Sequence, residues 1–330
     1  MMDQLLNVMR ALADPTRLRI ALLIRKLELS VGEVVQILGQ SQPRVSRHIR
    51  ILDEAGIAER RKEGAWVFLR PGPVLNGLLH PLFANADSSE ARVVHRDLAK
   101  LEQVRAARAD NAADYFAERA LEWDSLRSLH VAESEVEAAI CRILDTAPLG
   151  KVLDVGTGTG RMMELFANKA QKFVALDNNT EMLRLARAKL AGMDPASADQ
   201  VEIMLGDFNA LPLADDGFDT VLFHQVLHYA QNPERAITEA ARVLSPSGRL
   251  MIVDFAAHDR EELRTVHAHA RLGFSDDMIA RAFLASDIHM AHHVSLEGGP
   301  LAVKIWLGQK QKPGAGESAS IITSKLRIVA

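Results

Sequence analysis

Residues 154–160 read Asp-Val-Gly-Thr-Gly-Thr-Gly, directly after the apolar run LGKVLDV. Glycines there let the backbone turn sharply and approach a ligand closely. The position, after a strand and before a helix, carries more weight than the glycines themselves. The spacing is Gly-x-Gly-x-Gly; Arg161 stands where a dinucleotide fold places its last glycine. A second apolar run, FVALD, ends in Asp177, followed by Asn178. An acid there accepts the hydroxyl protons of an unmodified ribose. A third run, VEIML, leads into Gly206-Asp207-Phe208, whose carboxylate is placed to accept from an adenine amino group. Singly, the glycines are tight turns and the acids are caps. At the ends of three successive strands they describe a nucleoside site.

The elements that must position these residues alternate along the chain. FDTVLFH, LMIVDF and AVKIWL continue the strands, with helical stretches at 162–170, 180–190, 233–244 and 276–286 between strands. Strands alternating with helices predict a doubly wound α/β sheet, whose ligands sit beyond the carboxyl ends of the strands. With 330 residues, 48% hydrophobic and 25% charged, the chain has material for about two domains. One cysteine excludes an intramolecular disulfide and a multi-cysteine zinc site. No apolar stretch is long enough to span a bilayer. The first residues lack a basic segment followed by an apolar run, and a soluble cytoplasmic protein is expected.

The charge is uneven. Residues 1–70 carry twelve Lys/Arg and eight Asp/Glu, a net +4, and the remainder carries −8. Asp14-Pro15 opens one helix, and Ser30 with Glu33 forms a capping box for a second. Gly39 turns the chain into a third, opened near Ser41 and closed by Gly56. Its apolar stripe is Val45, Ile49 and Leu52. Ser41, Gln42, Arg44, Ser46, Arg47, His48 and Arg50 lie elsewhere on it. Two short helices and a tight turn predict a helix-turn-helix, with Gln and Arg as readers of base edges. Arg60, Arg61 and Lys62 then sit between two β-prone runs, as in a basic hairpin touching phosphates. A plain helical bundle with a charged face is the other reading. Beyond it, Val74, Leu75, Leu78, Leu79 and Leu82, then Val94, Leu98, Leu101 and either Val104 or Arg105, are spaced for dimerisation helices.

ALADPTRLRIALLI and ELSVGEVVQILGQSQPRVSRHIRILDEAGIAERRKEGAWVFLR, in that order, resemble the ArsR family of winged-helix repressors over residues 3–80. The resemblance implies a homodimer on a palindromic operator. Ser30 and Gly32 occupy the positions where metal-sensing members place cysteines, so that sensor site is absent. Residues 110–310 resemble class I S-adenosylmethionine-dependent methyltransferases through DVGTGTG, Asp177, GDFNALPLADDGFDTVLF and VLSPSGRLMIVDF. By that resemblance Asp154, Gly156, Thr157, Gly158 and Gly160 line the methionine end of the cofactor. Asp177 and Asn178 then hold the ribose, Asp207 and Phe208 flank the adenine, and Tyr115, Trp123 and Arg127 cover the ligand. The whole chain resembles ArsR–methyltransferase fusions. The domains expected are 1–85 winged helix, 86–130 helical linker and cofactor lid, 131–310 Rossmann-like methyltransferase, and 311–330 disordered tail.

Methyl transfer needs positioning and exclusion of water, and a base only where the acceptor must lose a proton. His224, His228, Tyr229 and His258 follow the fourth and fifth strands and are the candidates. His224 also points towards the cofactor. Each is otherwise a structural side chain. His267, His269, His292 and His293 lack the spacing of a metal site, and none is expected. A single cysteine speaks against arsenic methylation, and FHQVLHYA against amino-methylation of bases. Three readings stay open: a regulator that methylates a small molecule, a non-catalytic sensor of S-adenosylmethionine or S-adenosylhomocysteine, and an enzyme using the winged helix only to dimerise. The basic wing and the Gln42/Arg44/Arg47 face weigh against the third.

Overall fold

The computed structural model describes residues 2–63, 66–76, 92–119, 132–297 and 300–311, with backbone only for 2–4, 63, 76, 109–115 and 117–119. The chain divides into two compact units, with the main boundary at residue 112.

In the first unit, α1 (Met2–Leu12) and α2 (Pro15–Lys26) precede a short strand, β1 (Leu29–Ser30), and α3 (Val31–Leu38). The expected caps form. Asp14 accepts from the Thr16 and Arg17 N–H groups at 2.8 and 3.0 Å. Ser30 and Glu33 bond reciprocally, at 3.2 and 2.7 Å. Gly39, at φ +64°, turns the chain into α4 (Gln42–Glu54). Val45, Ile49 and Leu52 are buried as expected. β2 (Ala58–Glu63) and β3 (Trp66–Pro71) pair as an antiparallel wing, with β1 on the far side of β3. Arg60, Arg61 and Lys62 lie inside β2 rather than beyond it, because pairing runs to Glu63 opposite Trp66. A helical turn, α5 (Pro73–Asn76), follows.

The long helix α6 (Arg92–Arg119) contains the unit boundary. Its stripe is used within the chain. Leu101 and Val104 are buried, and Val94 and Leu98 partly so, in the same cluster as Ile20, Leu23, Val45 and Ile49. Polar contacts reinforce it. Arg19 Nη2 donates to Asp97 at 2.8 Å, Arg108 Nε to Glu33 at 2.8 Å, and Lys100 Nζ to the Ile37 carbonyl at 3.0 Å. Asp97 is 2% exposed. Arg19→Ala strands that buried carboxylate and is expected to destabilise the first unit by about 3–5 kcal/mol, read as a lower urea midpoint. Leu78, Leu79 and Leu82 and the 312–330 tail lie outside the described residues.

The second unit opens with α7 (Glu133–Leu144) and carries a seven-stranded sheet. Its strands are β4 (Lys151–Val155), β5 (Lys172–Asp177), β6 (Val201–Leu205), β7 (Phe218–His224), β8 (Leu244–Phe255), β9 (Ile288–Leu296) and β10 (Val303–Lys310). The order is β6-β5-β4-β7-β8-β10-β9. The first five run parallel; β10 is antiparallel to both β8 and β9. The edge strand β9 is not among the strands expected from the sequence. Its half-buried alternation, IHMAHHVSL, is set by pairing with β10 rather than by an apolar run. Between the strands lie α8 (Arg161–Phe166), α9 (Thr180–Ala191), α10 (Pro195–Ala198), α11 (Pro233–Val243), α12 (Glu262–Val266) and α13 (Asp276–Leu284). Alternate residues feed two cores. Val152, Phe173, Val303 and Ile305 lie in one; Leu153, Val221, Phe283 and Trp306 lie in the other. Among the described residues no helix is long and apolar enough to cross a membrane.

Candidate functional site

β4 pairs with β5 on one side and β7 on the other, so chain order reverses there and leaves a crevice at the carboxyl ends. The loop from β4 enters it. Gly156, Gly158 and Gly160 have φ of +73°, +55° and +87°, a region that side chains other than glycine rarely adopt. A Cβ on Gly156 would lie 2.3 Å from Val226 Cγ2. The Gly156 and Thr157 N–H groups donate to the Leu176 carbonyl at 2.7 and 2.9 Å, which ties the loop to the end of β5. Asp154 is buried beneath it, and the Thr157 hydroxyl is buried without a hydrogen-bond partner among the described residues.

Asp177 is 8% exposed and accepts from the Gly158 N–H at 2.8 Å and the Asn179 N–H at 2.8 Å. Burial pushes its carboxyl above the usual range, against the pull of those N–H groups. The acid thus organises the glycine loop and keeps lone pairs for a ligand. Asn178 is exposed beside it; Asn179 caps α9. Asp207 is exposed and accepts from the Asn209 N–H and amide at 2.8 and 2.9 Å, while Phe208 packs partly on the core. These residues fit a nucleoside group: a glycine cradle, an orphaned hydroxyl at Thr157, and a buried acid.

The far wall follows β7. His224 ends that strand, 9% exposed. Gln225 takes φ +51°, held by its N–H to the Val253 carbonyl at 2.7 Å. This turn sets Val226 against Gly156 and carries the chain into the 3-10 turn Leu227–Tyr229. The His228 N–H donates to Asp254 Oδ2 at 3.1 Å, and its Nδ1 donates to Asp254 Oδ1 at 2.7 Å. His228 is 2% and Asp254 0% exposed. Rings surround the imidazole. Tyr229 and His269 lie 4.1 Å away between centroids, Phe255 lies 5.1 Å away, and Phe116 meets Tyr229 edge-on at 4.6 Å. His258, half-buried, lies 6.3 Å from Phe255.

Of the residues expected to cover the ligand, Trp123 and Arg127 lie outside the described residues, and Tyr115 is described only as helical backbone. Sequence reasoning missed Asp254, Phe116 and the ring contact of His269. The signal available for Asp254 was one charge inside the apolar run LMIVDF. His292 and His293 sit on opposite faces of β9, and among the described residues no three potential ligands converge on a metal position.

On the first unit, α4 exposes Ser41, Gln42, Arg44, Ser46, Arg47 and Arg50 opposite its buried stripe. His48 is half-buried, its Nδ1 3.8 Å from Asp14; burial pushes the imidazole down, against the pull of that acid. In the wing, Arg60 pairs with Asp53 at 2.8 Å. Arg61 pairs with Glu28 at 2.9 Å and lies over the Phe68 ring. Arg61, only 20% exposed, therefore braces the wing.

Residues 14–60 match the model of the bacterial regulatory proteins of the arsR family, and residues 153–252 match that of a methyltransferase domain. A malonyl-[acyl-carrier protein] O-methyltransferase of Methylococcus capsulatus is 34% identical over 151 residues, 45% of this chain and 53% of that protein. A demethylmenaquinone methyltransferase of Renibacterium salmoninarum is 33% identical over 120 residues, 36% and 47% respectively. The chain spans about half the length of these curated relatives. A chain from the complex of the Haloferax volcanii Trm112 methyltransferase activator with a methyltransferase shares the fold, with a TM-score of 0.50 and 20% identity over 59% of this chain and 97% of that one. The protein thus joins an arsR-family helix-turn-helix domain to an S-adenosylmethionine-dependent methyltransferase domain of the doubly wound α/β class.

Proposed function

We propose that the chain binds a palindromic duplex operator as a homodimer and transfers a methyl group from S-adenosylmethionine to a small molecule. The observation that carries this reading is the joint presence of two features in one chain. One is a helix that exposes Gln42, Arg44, Ser46, Arg47 and Arg50. The other is a crevice whose acid and orphaned hydroxyl lie buried at the ends of β4 and β5.

On DNA, α4 enters the major groove, and Gln42, Arg44 and Arg47 read base edges. Ser41, Ser46 and Arg50, with Arg60 and Lys62 of the wing, contact phosphates. His48 seats the helix against Asp14. In the crevice, the backbone of Gly156, Thr157, Gly158 and Gly160 above Asp154 holds the methionine end. Asp177 and Asn178 hold the ribose, and Asp207 and Phe208 the adenine. His224 closes the crevice beside β4. When bound, the cofactor supplies an electrophilic methyl group on a sulfonium. The protein's part is to orient an acceptor towards it and exclude water; Tyr229 and His258 line the acceptor side.

The test uses the full chain and labelled duplexes tiling the DNA upstream of its gene, read by fluorescence anisotropy across salt. One tile should bind well above a scrambled duplex, with affinity falling as salt rises. Arg47→Ala should weaken that tile by about 10–100-fold. Equal binding to all duplexes, unchanged by Arg47→Ala, removes the DNA half. In parallel, methyl-labelled S-adenosylmethionine is incubated with a metabolite extract. Label transferred to a small molecule supports the catalytic half. No transfer, with tight S-adenosylhomocysteine binding that shifts DNA affinity, replaces it with a sensor.

A further inference from the structure

His228 Nδ1 is spent on Asp254, and Nε2 of the same ring is buried with no hydrogen-bond partner among the described residues. Folded proteins satisfy nearly all buried polar atoms, so one left bare on the turn just past β7 is a group waiting for a ligand. Asp254 is completely buried. It also accepts from the Phe255 N–H at 2.7 Å and the His228 N–H at 3.1 Å. Its carboxylate therefore fixes which nitrogen of His228 carries hydrogen. With Nδ1–H donated, the neutral ring keeps its lone pair on Nε2. The turn is held from outside as well, since the Arg271 N–H donates to the His228 carbonyl at 2.9 Å.

We propose that His228 Nε2, positioned by Asp254, is the proton acceptor for a hydroxyl on an aromatic ring, which makes the methyl acceptor a phenol-type compound. The inference rests on the methyl-transfer reading above and names its substrate class. Two features select that class. A carboxylate acceptor is already ionised near neutrality and an aromatic amine attacks through its free lone pair, so neither needs a base at the transition state; a hydroxyl does. The rings against the imidazole are Tyr229, Phe255 and His269, with Phe116 edge-on to Tyr229, surroundings that suit a planar apolar body carrying one polar group. The ionisable groups against the imidazole are Asp254 from β8, Tyr229 on its own turn and His269 from the loop after α12.

The step balances. The acceptor O–H gives its proton to Nε2, an oxygen–carbon bond forms to the methyl, and the sulfur–methyl bond breaks with its electron pair left on sulfur. The products are an aryl methyl ether and a neutral thioether. The imidazolium then returns its proton to solvent. His228 is the catalytic residue and Asp254 a positioning residue.

The experiment loads the full-length protein with S-adenosylhomocysteine and adds 4-nitrophenol, whose phenolate absorbs at longer wavelength than its phenol. 4-Nitroanisole and 4-nitrobenzoate are the controls without an acidic hydroxyl. Wild type should bind 4-nitrophenol and lower its ionisation midpoint by about one pH unit or more; 4-nitrobenzoate should bind at least about tenfold more weakly. His228→Gln and Asp254→Asn should bring the midpoint back to its value in free solution. Calorimetric binding of S-adenosylhomocysteine by each variant shows that the fold is intact, and His228→Asn provides a second substitution at the same ring. Failure of loaded wild type to bind 4-nitrophenol, or a midpoint that His228→Gln leaves unmoved, overturns the inference. Failure of wild type to bind S-adenosylhomocysteine overturns the methyl-transfer reading itself.

Discussion

Asp177→Ala should weaken S-adenosylmethionine binding by about 100-fold or more, since a buried carboxylate that accepts from a ligand contributes about 1.5–3 kcal/mol per bond. Isothermal titration of the full chain reads it. The loss has two sources. The variant removes the acceptor for the ribose, and it releases the Gly158 N–H that fixes the glycine loop. Stability should change far less, because two effects oppose. The Gly158 and Asn179 N–H groups lose their partner, while a buried charge disappears. The sign of the second effect follows from the raised carboxyl pKa. A carboxyl raised on folding favours the fold at pH below its unfolded value, and that contribution is lost as pH rises through the folded value. Near neutrality the ligand-free domain therefore carries Asp177 at a cost. We expect a melting shift within about 5 °C. A collapse of stability together with binding would assign Asp177 to the fold instead of the ligand.

Trp306→Ala should destabilise the second unit by about 3–5 kcal/mol, read by calorimetric or urea unfolding. Trp306 is fully buried on β10, registered between Ile252 of β8 and His293 of β9. Its indole N–H donates to Asp276 Oδ1 at 2.8 Å, and Lys304 reaches the other carboxylate oxygen at 2.6 Å. Truncation thus opens a cavity and removes one donor from Asp276, which joins the start of α13 to the sheet. Burial pushes the Asp276 carboxyl up, but Lys304 and the indole outweigh it and leave it below its usual range. Stability from this group is present above the unfolded value and lost as pH falls through the folded one. Trp306→Phe keeps most of the packing and should cost about 1–2 kcal/mol. An equal loss in both variants would show that the hydrogen bond, not the cavity, carries the effect.

What was legible in the sequence was local. Asp14-Pro15, the Ser30–Glu33 box and Gly39 set helix ends through partners within four residues, so their spacing along the chain is the interaction itself. The Val45, Ile49 and Leu52 stripe and the apolar runs of β4, β5, β7 and β8 likewise announce which face is covered. The glycine loop and the acids at 177 and 207 followed, because a doubly wound sheet brings successive strand ends to one edge.

Contacts across long separations were decided only by tertiary structure. Arg61 reads as a basic wing residue, yet Glu28, thirty-three positions away, holds it within the domain. Val94 to Val104 reads as a seam for another chain, yet Leu101 and Val104 complete the core of the first unit. β9 has an edge strand's half-polar alternation and becomes a strand because β10 reverses beside it. His228, on the turn after β7, and Asp254, near the end of β8, are twenty-six residues apart. Composition and periodicity describe what a segment can bury. Which two buried groups meet depends on strand order and register, and those are properties of the whole sheet.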